Sequence, residues 1–172
     1  MYQCGDYIVY GTNGVCKIAE IGTPGFSQAN KSKRYYTLIP VYGVETIYVP
    51  VDTGAYMRPV MSREEAEALI AQIPAIREDA VDIRNLQLLS EHYKASFQSH
   101  DSAELIHLIK TIYLKCAHAE MAGKKPCVVD QRFRKRAEDL LHGELAVALG
   151  IPRESVPDYI KERISGPQQK NA

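Results

Sequence analysis

The sequence predicts an α+β protein in which a small β-rich unit precedes an all-helical unit. The first part of the chain contains short runs rich in Val, Ile, Tyr and Thr with turn residues between them, which is typical of strands. From Ser62 onward the apolar residues recur at helical spacing. Strands that are segregated from helices in this way indicate an α+β fold or two modules. We therefore predict a β-rich unit at 1–60, a helical unit at 61–165 and a flexible tail at 166–172.

The β-rich unit should contain four or five short strands. They are predicted at Asp6–Tyr10, Val15–Ile21, Arg34–Val41, Glu45–Val49 and, as a shorter fifth, Ala55–Pro59. The stretch GDYIVYGTNG could instead be taken for a phosphate-binding loop, but the Lys-Ser/Thr pair of such a loop and its following helix are missing. Asn-Gly between two β-rich runs predicts a hairpin turn. So many strands in about 60 residues predict a small curled barrel.

Four or five helices should follow the strands. Ser62 and Glu65 form the pattern of a capping box, and Pro74 should end the helix that they begin. The later helices are predicted at about Arg84–Ser99, from an N-cap at Asp101 or Ser102, at about Asp130–Leu149 and at Val156–Ile164. Their predicted inward residues include Ile83, Leu86, Tyr93 and Phe97 in the second helix, Leu105, Leu108, Ile109, Ile112 and Cys116 in the third, and Phe133, Ala137, Leu140, Leu141 and Ala148 in the fourth.

Composition and motifs argue against an enzyme, a metal site and a membrane protein. The five histidines and four cysteines show no familiar ligand spacing, and no nucleophile elbow is present. Neither a signal peptide nor a membrane-spanning apolar run is visible. We therefore expect a cytoplasmic protein with reduced cysteines, without catalytic residues, metal or cofactor. Glu144 falls on the apolar stripe of the fourth helix, so we expect it to be buried with a partner.

The zero net charge of the chain conceals an internal division. Residues 62–104 carry a net charge of −5, and residues 105–136 carry +6. The basic block is densest in RFRKR near the start of the fourth helix, where cations oppose the helix macrodipole. At ~100° per residue, Arg132, Lys135 and Arg136 lie on the face opposite the apolar stripe, and Lys110 lies outside the stripe of the third helix. This concentration predicts phosphate contact; the alternative is a solvated helix face.

Several segments in order resemble one family. The stretches GDYIVYGTNGVCKIAEI, YVP, SEHYKASFQSHD and RAEDLLHGELAVALG, which together extend from Gly5 to Gly150, resemble the CarD family of bacterial transcription regulators (CarD and CdnL-type proteins). The family shares its first domain with transcription-repair coupling factors. This chain has no helicase motifs, so it resembles the stand-alone regulator.

The resemblance implies a function in transcription without enzymatic activity. It implies that a Tudor-like N-terminal barrel docks on the β subunit of RNA polymerase. It also implies that the helical domain contacts promoter DNA near the upstream edge of the transcription bubble and stabilises the open complex without reading base sequence. On this basis we expect a monomer whose polymerase-binding residues lie on the exposed edge strand, at Glu45, Ile47 and Tyr48. Lys94 matches a DNA-contacting lysine of the family, and Arg136 matches another basic position in the fourth helix.

The chain departs from the family pattern at three positions. Tyr48 stands where studied members have a docking arginine, and Pro24 aligns approximately with a second one. Some members insert a tryptophan into the minor groove at the bubble edge, whereas this chain contains no Trp. The alignment places Leu89 at that position, while helical periodicity favours Leu88 as the outward-facing leucine. Either leucine could be the wedge, or both could seal the second helix against the domain.

Two other classes of function remain open on the sequence. A protein-only adaptor would use the barrel and the acidic second helix without binding DNA, and a gel shift at low salt would separate it from the regulator. An enzyme of unrecognised type would need a convergent set of polar catalytic groups, which the sequence does not show.

Overall fold

Five strands precede five helices in this computed structural model, which describes residues 1–26 and 29–169, with the side chains of 167–169 excepted. The chain divides into two compact units, Met1–Met61 and Ser62–Ala172. The predicted α+β fold, with an antiparallel sheet followed by helices, is confirmed.

The strands of the first unit form one antiparallel sheet. They are β1 (Tyr7–Tyr10), β2 (Gly14–Gly22), β3 (Tyr35–Pro40), β4 (Ile47–Pro50) and β5 (Met57–Pro59). Their order across the sheet is β4-β3-β2-β1-β5, so β4 and β5 are the edges. One face carries the core of the unit, because side chains alternate along each strand. The buried residues of that core are Ile8, Cys16, Ile18, Tyr36, Leu38 and Val49.

The hairpin between β1 and β2 is confirmed, although its turn differs from the predicted Asn-Gly type. Tyr10 pairs with Gly14, and Gly11–Asn13 between them form a short 3-10 turn. Gly11 and Gly14 take positive φ angles of 47° and 79°, whereas Asn13 does not take one. A three-residue loop places the left-handed positions at its first residue and just after its last, so glycines occupy them rather than the Asn-Gly pair.

The helices of the second unit are α1 (Arg63–Gln72), α2 (Leu86–Gln98), α3 (Ser102–Met121), α4 (Val128–Leu149) and α5 (Val156–Gln169). The capping box of Ser62 and Glu65 is present, and Asp101 caps α3 by accepting a hydrogen bond from the Ala103 amide. Gly150 ends α4 in the left-handed conformation, as predicted.

Three helix bounds and one apolar stripe differ from the prediction. α2 begins at Leu86, two residues late, and α4 begins at Val128, two residues early. α5 continues through Gly166, so the predicted tail starts within a helix, and residues 170–172 lie outside the described part. Local breakers fix helix ends only to within a turn or so. Leu86 is the first residue of α2 and is exposed, whereas Leu89 takes its place in the stripe.

The core of the second unit lies where α2, α3 and α4 meet. Aromatic rings dominate it: the Tyr93 and Phe133 ring centres are 5.5 Å apart, and those of Phe97 and Phe133 are 6.0 Å apart. The predicted inward residues of α3 and α4 are buried or half-buried, and Glu144 is buried at 5% exposure, as expected. The buried residues of the cluster are Leu89, Tyr93, Phe97, Leu108, Ile112, Cys116, Phe133 and Ala137.

Candidate polymerase-binding and nucleic-acid-binding surfaces

The edge strand β4 presents one of the three predicted polymerase-binding side chains clearly outward. Tyr48 is 44% exposed and lies opposite Thr37 of β3. Ile47 is half-buried and packs against the core of the sheet. Glu45 is exposed, but it precedes β4, which begins at Ile47 rather than at the predicted Glu45. Alternation along the strand explains the contrast between the two neighbours, because successive side chains point to opposite faces.

An exposed apolar patch surrounds Tyr48 and extends beyond the predicted residues. The Phe26 ring lies 4.9 Å from the Tyr48 ring and 6.4 Å from the Tyr35 ring, measured between centroids. The turn between β3 and β4 also exposes apolar side chains, namely Val41, Tyr42 and the fully exposed Val44. Sequence reasoning missed these residues. The apolar composition of a predicted turn, VYGV, was the signal that could have found them.

Three of the cations predicted to contact DNA are exposed on α2 and α4, two helices that share the core of the second unit. The Arg136 guanidinium on α4 lies 4.9 Å from the centre of the Phe97 ring on α2. Arg132, one turn earlier, lies 5.5 Å from the Phe133 ring, which itself touches Tyr93. Lys94 follows Tyr93 on α2 and is exposed. We call Lys94, Arg132 and Arg136 the basic seam.

The basic seam can bind an anion because its charges are not neutralised internally. Within the described residues, none of its three cations takes part in an ion pair. The two arginines rest on ring faces instead, an arrangement that is attractive but leaves the guanidinium donors available to a partner. Exposed guanidinium groups held in this way suit phosphate oxygens, which accept two hydrogen bonds from one fork.

The other two predicted cations, Lys110 and Lys135, are engaged elsewhere, and so is their neighbour Arg134. Lys110 is half-buried, and its ammonium donates to the carbonyl oxygens of Ile73 and Ile76 after α1, so its side chain holds the chain that follows α1. Lys135 is exposed and pairs with Asp139 at 3.4 Å. Arg134 pairs with Glu138 at 3.1 Å and lies over the Tyr113 ring of α3. The sequence pattern could not separate these residues from the basic seam, because helical periodicity gives a face but not its neighbours.

A buried carboxylate lies beneath the basic seam. Asp130, in the first turn of α4, is 2% exposed. The Tyr93 hydroxyl donates to its Oδ1 at 2.7 Å, and the Lys115 ammonium of α3 donates to the same oxygen at 3.1 Å. Burial, together with the hydrogen bond to Asp130, raises the pKa of Tyr93 far above its ordinary value, so its hydroxyl keeps its proton. The sequence pattern marks Asp130 only as a helix boundary.

The two leucines considered as a wedge have opposite environments. Leu89, the residue that the alignment favours, is 1% exposed and belongs to the α2–α3–α4 core. Leu88 is 55% exposed on the first turn of α2, where Asn85 caps the helix. A fully buried side chain cannot enter a base step without unfolding its surroundings, so the burial of Leu89 argues against Leu89 as the wedge. Leu88 stays a prediction.

The described residues offer little for other chemistry. No group of three or more His, Cys, Asp or Glu side chains among them could hold a metal ion. None of the described helices combines the length and apolarity needed to cross a membrane.

Comparison with known proteins identifies the first unit. The family model of the CarD-like/TRCF RID domain matches residues 2–61, which covers the five-stranded sheet. A comparison with curated proteins found no significant match. The match bears out, for the first unit, the resemblance seen in the sequence: residues 2–61 form a CarD-like/TRCF RID domain, the RNA polymerase-interacting domain that CarD-like proteins share with transcription-repair coupling factors.

Proposed function

We propose that this protein is a transcription regulator that binds the β subunit of RNA polymerase and promoter DNA at once, and thereby stabilises the open complex. The observation that carries the DNA-binding half is the basic seam, where two exposed arginines of α4 lie over aromatic rings and the exposed Lys94 follows the core residue Tyr93 on α2. The polymerase-binding half rests on the family of the first unit.

Docking on the β subunit would use the edge of the sheet. An edge strand has unpaired backbone donors and acceptors that a strand of a partner can continue. β4 is such an edge, and Tyr48 with its neighbour Phe26 adds exposed aromatic area beside it. A tyrosine in place of a docking arginine would make this contact depend on apolar area rather than on charge, so it should tolerate salt well.

DNA contact would be made mainly to phosphates. The cations of the basic seam suit phosphate oxygens, and the CarD family resemblance implies contact without reading of base sequence, so binding should be nearly independent of sequence. Three phosphate contacts by themselves give weak binding. Attachment to polymerase through the first unit would raise the effective concentration of the helical unit at the promoter and offset this weakness.

Stabilisation of the open complex then follows from differential binding. A protein lengthens the lifetime of one state only if it binds that state more tightly than the alternative. Leu88 would make the protein bind the open complex more tightly than closed DNA, because an exposed leucine can insert where bases are already unstacked at the bubble edge. The protein would act as a monomer, in the cytoplasm, without catalysing a reaction.

The lifetime of open promoter complexes tests this function. Purified RNA polymerase holoenzyme is allowed to open a linear promoter fragment with and without the protein, and heparin is then added to prevent re-association. The protein should lengthen the lifetime, and an Arg132→Glu, Arg136→Glu double variant that still binds polymerase should lose most of the effect. Equal lifetimes with and without the wild-type protein would contradict the proposal.

A protein-only adaptor is the second candidate, favoured by the large exposed apolar patch beside β4. Fluorescence anisotropy with a short labelled duplex and with a forked duplex at low salt separates the two candidates. An adaptor would bind polymerase and leave both DNA probes free, whereas the regulator should bind both probes.

A further inference from the structure

One buried carboxylate connects the three helices on which the basic seam depends. Asp130 belongs to α4, and its Oδ1 accepts hydrogen bonds from Tyr93 of α2 and Lys115 of α3. Asp130 is almost fully buried, while the Lys115 side chain remains 28% exposed.

Such an arrangement is a poor way to gain stability alone. Removal of a charge from water costs several kcal/mol, and apolar side chains of similar volume often stabilise a core equally well or better. A hydrogen-bonded carboxylate differs from an apolar contact in that it fixes direction and distance. The role of Asp130 therefore depends on which side chains its hydrogen bonds hold in place.

The groups that Asp130 aligns are those that carry the basic seam. Tyr93 precedes Lys94 on α2, and its ring touches that of Phe133 at 5.5 Å. Arg132 lies over Phe133, and Arg136 reaches across to Phe97 on α2. Asp130 is one half-turn before Arg132 on α4. A rotation or slide of the first turn of α4 would therefore move both arginines away from α2.

We propose that Asp130, through its hydrogen bonds to Tyr93 and Lys115, is a positioning residue for DNA binding that holds Arg132 and Arg136 of α4 beside Lys94 of α2. This inference rests on the proposed DNA-binding function. Asp130 does not touch the nucleic acid. Its carboxylate also lies in the first turn of α4, where a negative charge offsets the unfavourable placement of cations near a helix N-terminus.

The test uses the full-length protein with Asp130→Asn and, as a milder change, Tyr93→Phe, which removes one hydroxyl and keeps the ring. Asp158→Asn is the matched control, since it removes an exposed carboxylate from the first turn of another helix, α5. NMR of the arginine Nε–Hε groups in the free protein reports whether Arg132 and Arg136 stay ordered. DNA affinity is then measured as a function of salt at a temperature where each variant is folded.

The positioning role predicts a pattern that simple destabilisation would not produce. Tyr93→Phe and Asp130→Asn should loosen both arginine signals, and the log–log salt dependence of DNA binding should become shallower by about 0.9 for each phosphate that the protein no longer neutralises. In a background with Arg132→Gln and Arg136→Gln, the same changes should have no further effect on affinity, because nothing remains to be positioned. Asp158→Asn should leave the arginine signals and the salt dependence unchanged.

The outcomes that overturn the inference differ from those that overturn the function. If Asp130→Asn does not fold, Tyr93→Phe decides alone. If Tyr93→Phe has the arginine signals and the salt dependence of the wild type, the positioning role is refuted even though the protein binds DNA. The role is also refuted if Tyr93→Phe lowers DNA affinity equally in the presence and in the absence of the two arginines. Absence of DNA binding by the wild-type protein would refute the proposed function itself, and with it this inference.

Discussion

The guanidinium group of Arg136 lies 4.9 Å from the centre of the Phe97 ring, so a residue of α4 covers a core aromatic of α2. The contact joins the part of the chain with the highest positive charge to the acidic segment before it. The basic seam is thus a product of packing between two helices and not of the RFRKR stretch alone.

We expect Arg136→Gln to weaken binding to duplex DNA and to reduce the slope of log affinity against log salt by about 0.9, because the variant neutralises one phosphate fewer. Anisotropy titrations at several salt concentrations measure both quantities. Lys161→Gln is the control, because Lys161 on α5 is also an exposed cation; this variant should bind DNA as the wild type does. Lys135→Gln tests how far the DNA-binding surface extends. If this variant loses as much DNA affinity as Arg136→Gln, the surface includes the outer face of α4.

We expect Leu89→Ala to destabilise the protein by about 2–5 kcal/mol, since it leaves a cavity in the core. Leu88→Ala should change the free energy of unfolding by less than about 1 kcal/mol, because its side chain is exposed. Urea denaturation followed by circular dichroism measures the difference. If Leu88 is the wedge, Leu88→Ala should also shorten the lifetime of the open promoter complex.

A long-lived open complex with Leu88→Ala would leave the phosphate contacts as the source of any stabilisation. Equal destabilisation by the two substitutions would contradict the difference in burial. Leu88→Phe offers a second comparison, since a larger apolar side chain at a wedge position should preserve or lengthen the lifetime.

The leucines illustrate what the sequence could and could not predict. Periodicity with Tyr93 places Leu88 outward, and the structure agrees, whereas the alignment favours the buried Leu89. Leu86 is predicted inward but is exposed. It is the first residue of α2, and the residues of α2 that pack into the core begin one turn later, at Leu89. Local signals with a direct chemical cause, such as the capping box at Ser62 and the glycine at position 150, are confirmed.

Long-range partners are the part that the sequence could not predict. Lys110 and Arg136 both lie outside an apolar stripe, yet one holds backbone carbonyls and the other covers an aromatic ring. Asp130 has the sequence context of a helix-start residue, and its partners lie 15 and 37 residues away. Such contacts depend on how α2, α3 and α4 pack, which periodicity does not specify.

We expect Tyr48→Glu to weaken binding to the polymerase β subunit without unfolding the sheet, since the charge would enter an apolar contact at the exposed edge. Pull-down or interferometry with the isolated β subunit measures the affinity. Tyr7→Glu is the matched control, because Tyr7 is also 44% exposed but lies on β1, an inner strand. Equal weakening by both variants, or none with Tyr48→Glu, would locate the docking surface elsewhere.

We expect the helical unit to lose stability as the pH falls below about 6.5, in part because of His142. Burial on α4 lowers the pKa of His142, and Arg153 adds to the shift, while Glu138 and Asp139 oppose it. The folded state therefore binds this proton more weakly than the unfolded state does. Above pH 6.5, the ordinary pKa, His142 is neutral in both states and the contribution of this residue to stability is fully present. That contribution is lost as the pH falls from 6.5 through the lowered pKa of the folded state.

Urea midpoints followed by circular dichroism between pH 7.5 and 5 measure this decrease in stability. His142→Gln should make the dependence on pH shallower, because glutamine cannot take up the proton that the folded state disfavours. His118→Gln, at an exposed position on α3, should leave the contribution of His142 in place. A wild-type pH dependence in His142→Gln would show that other groups cause the decrease.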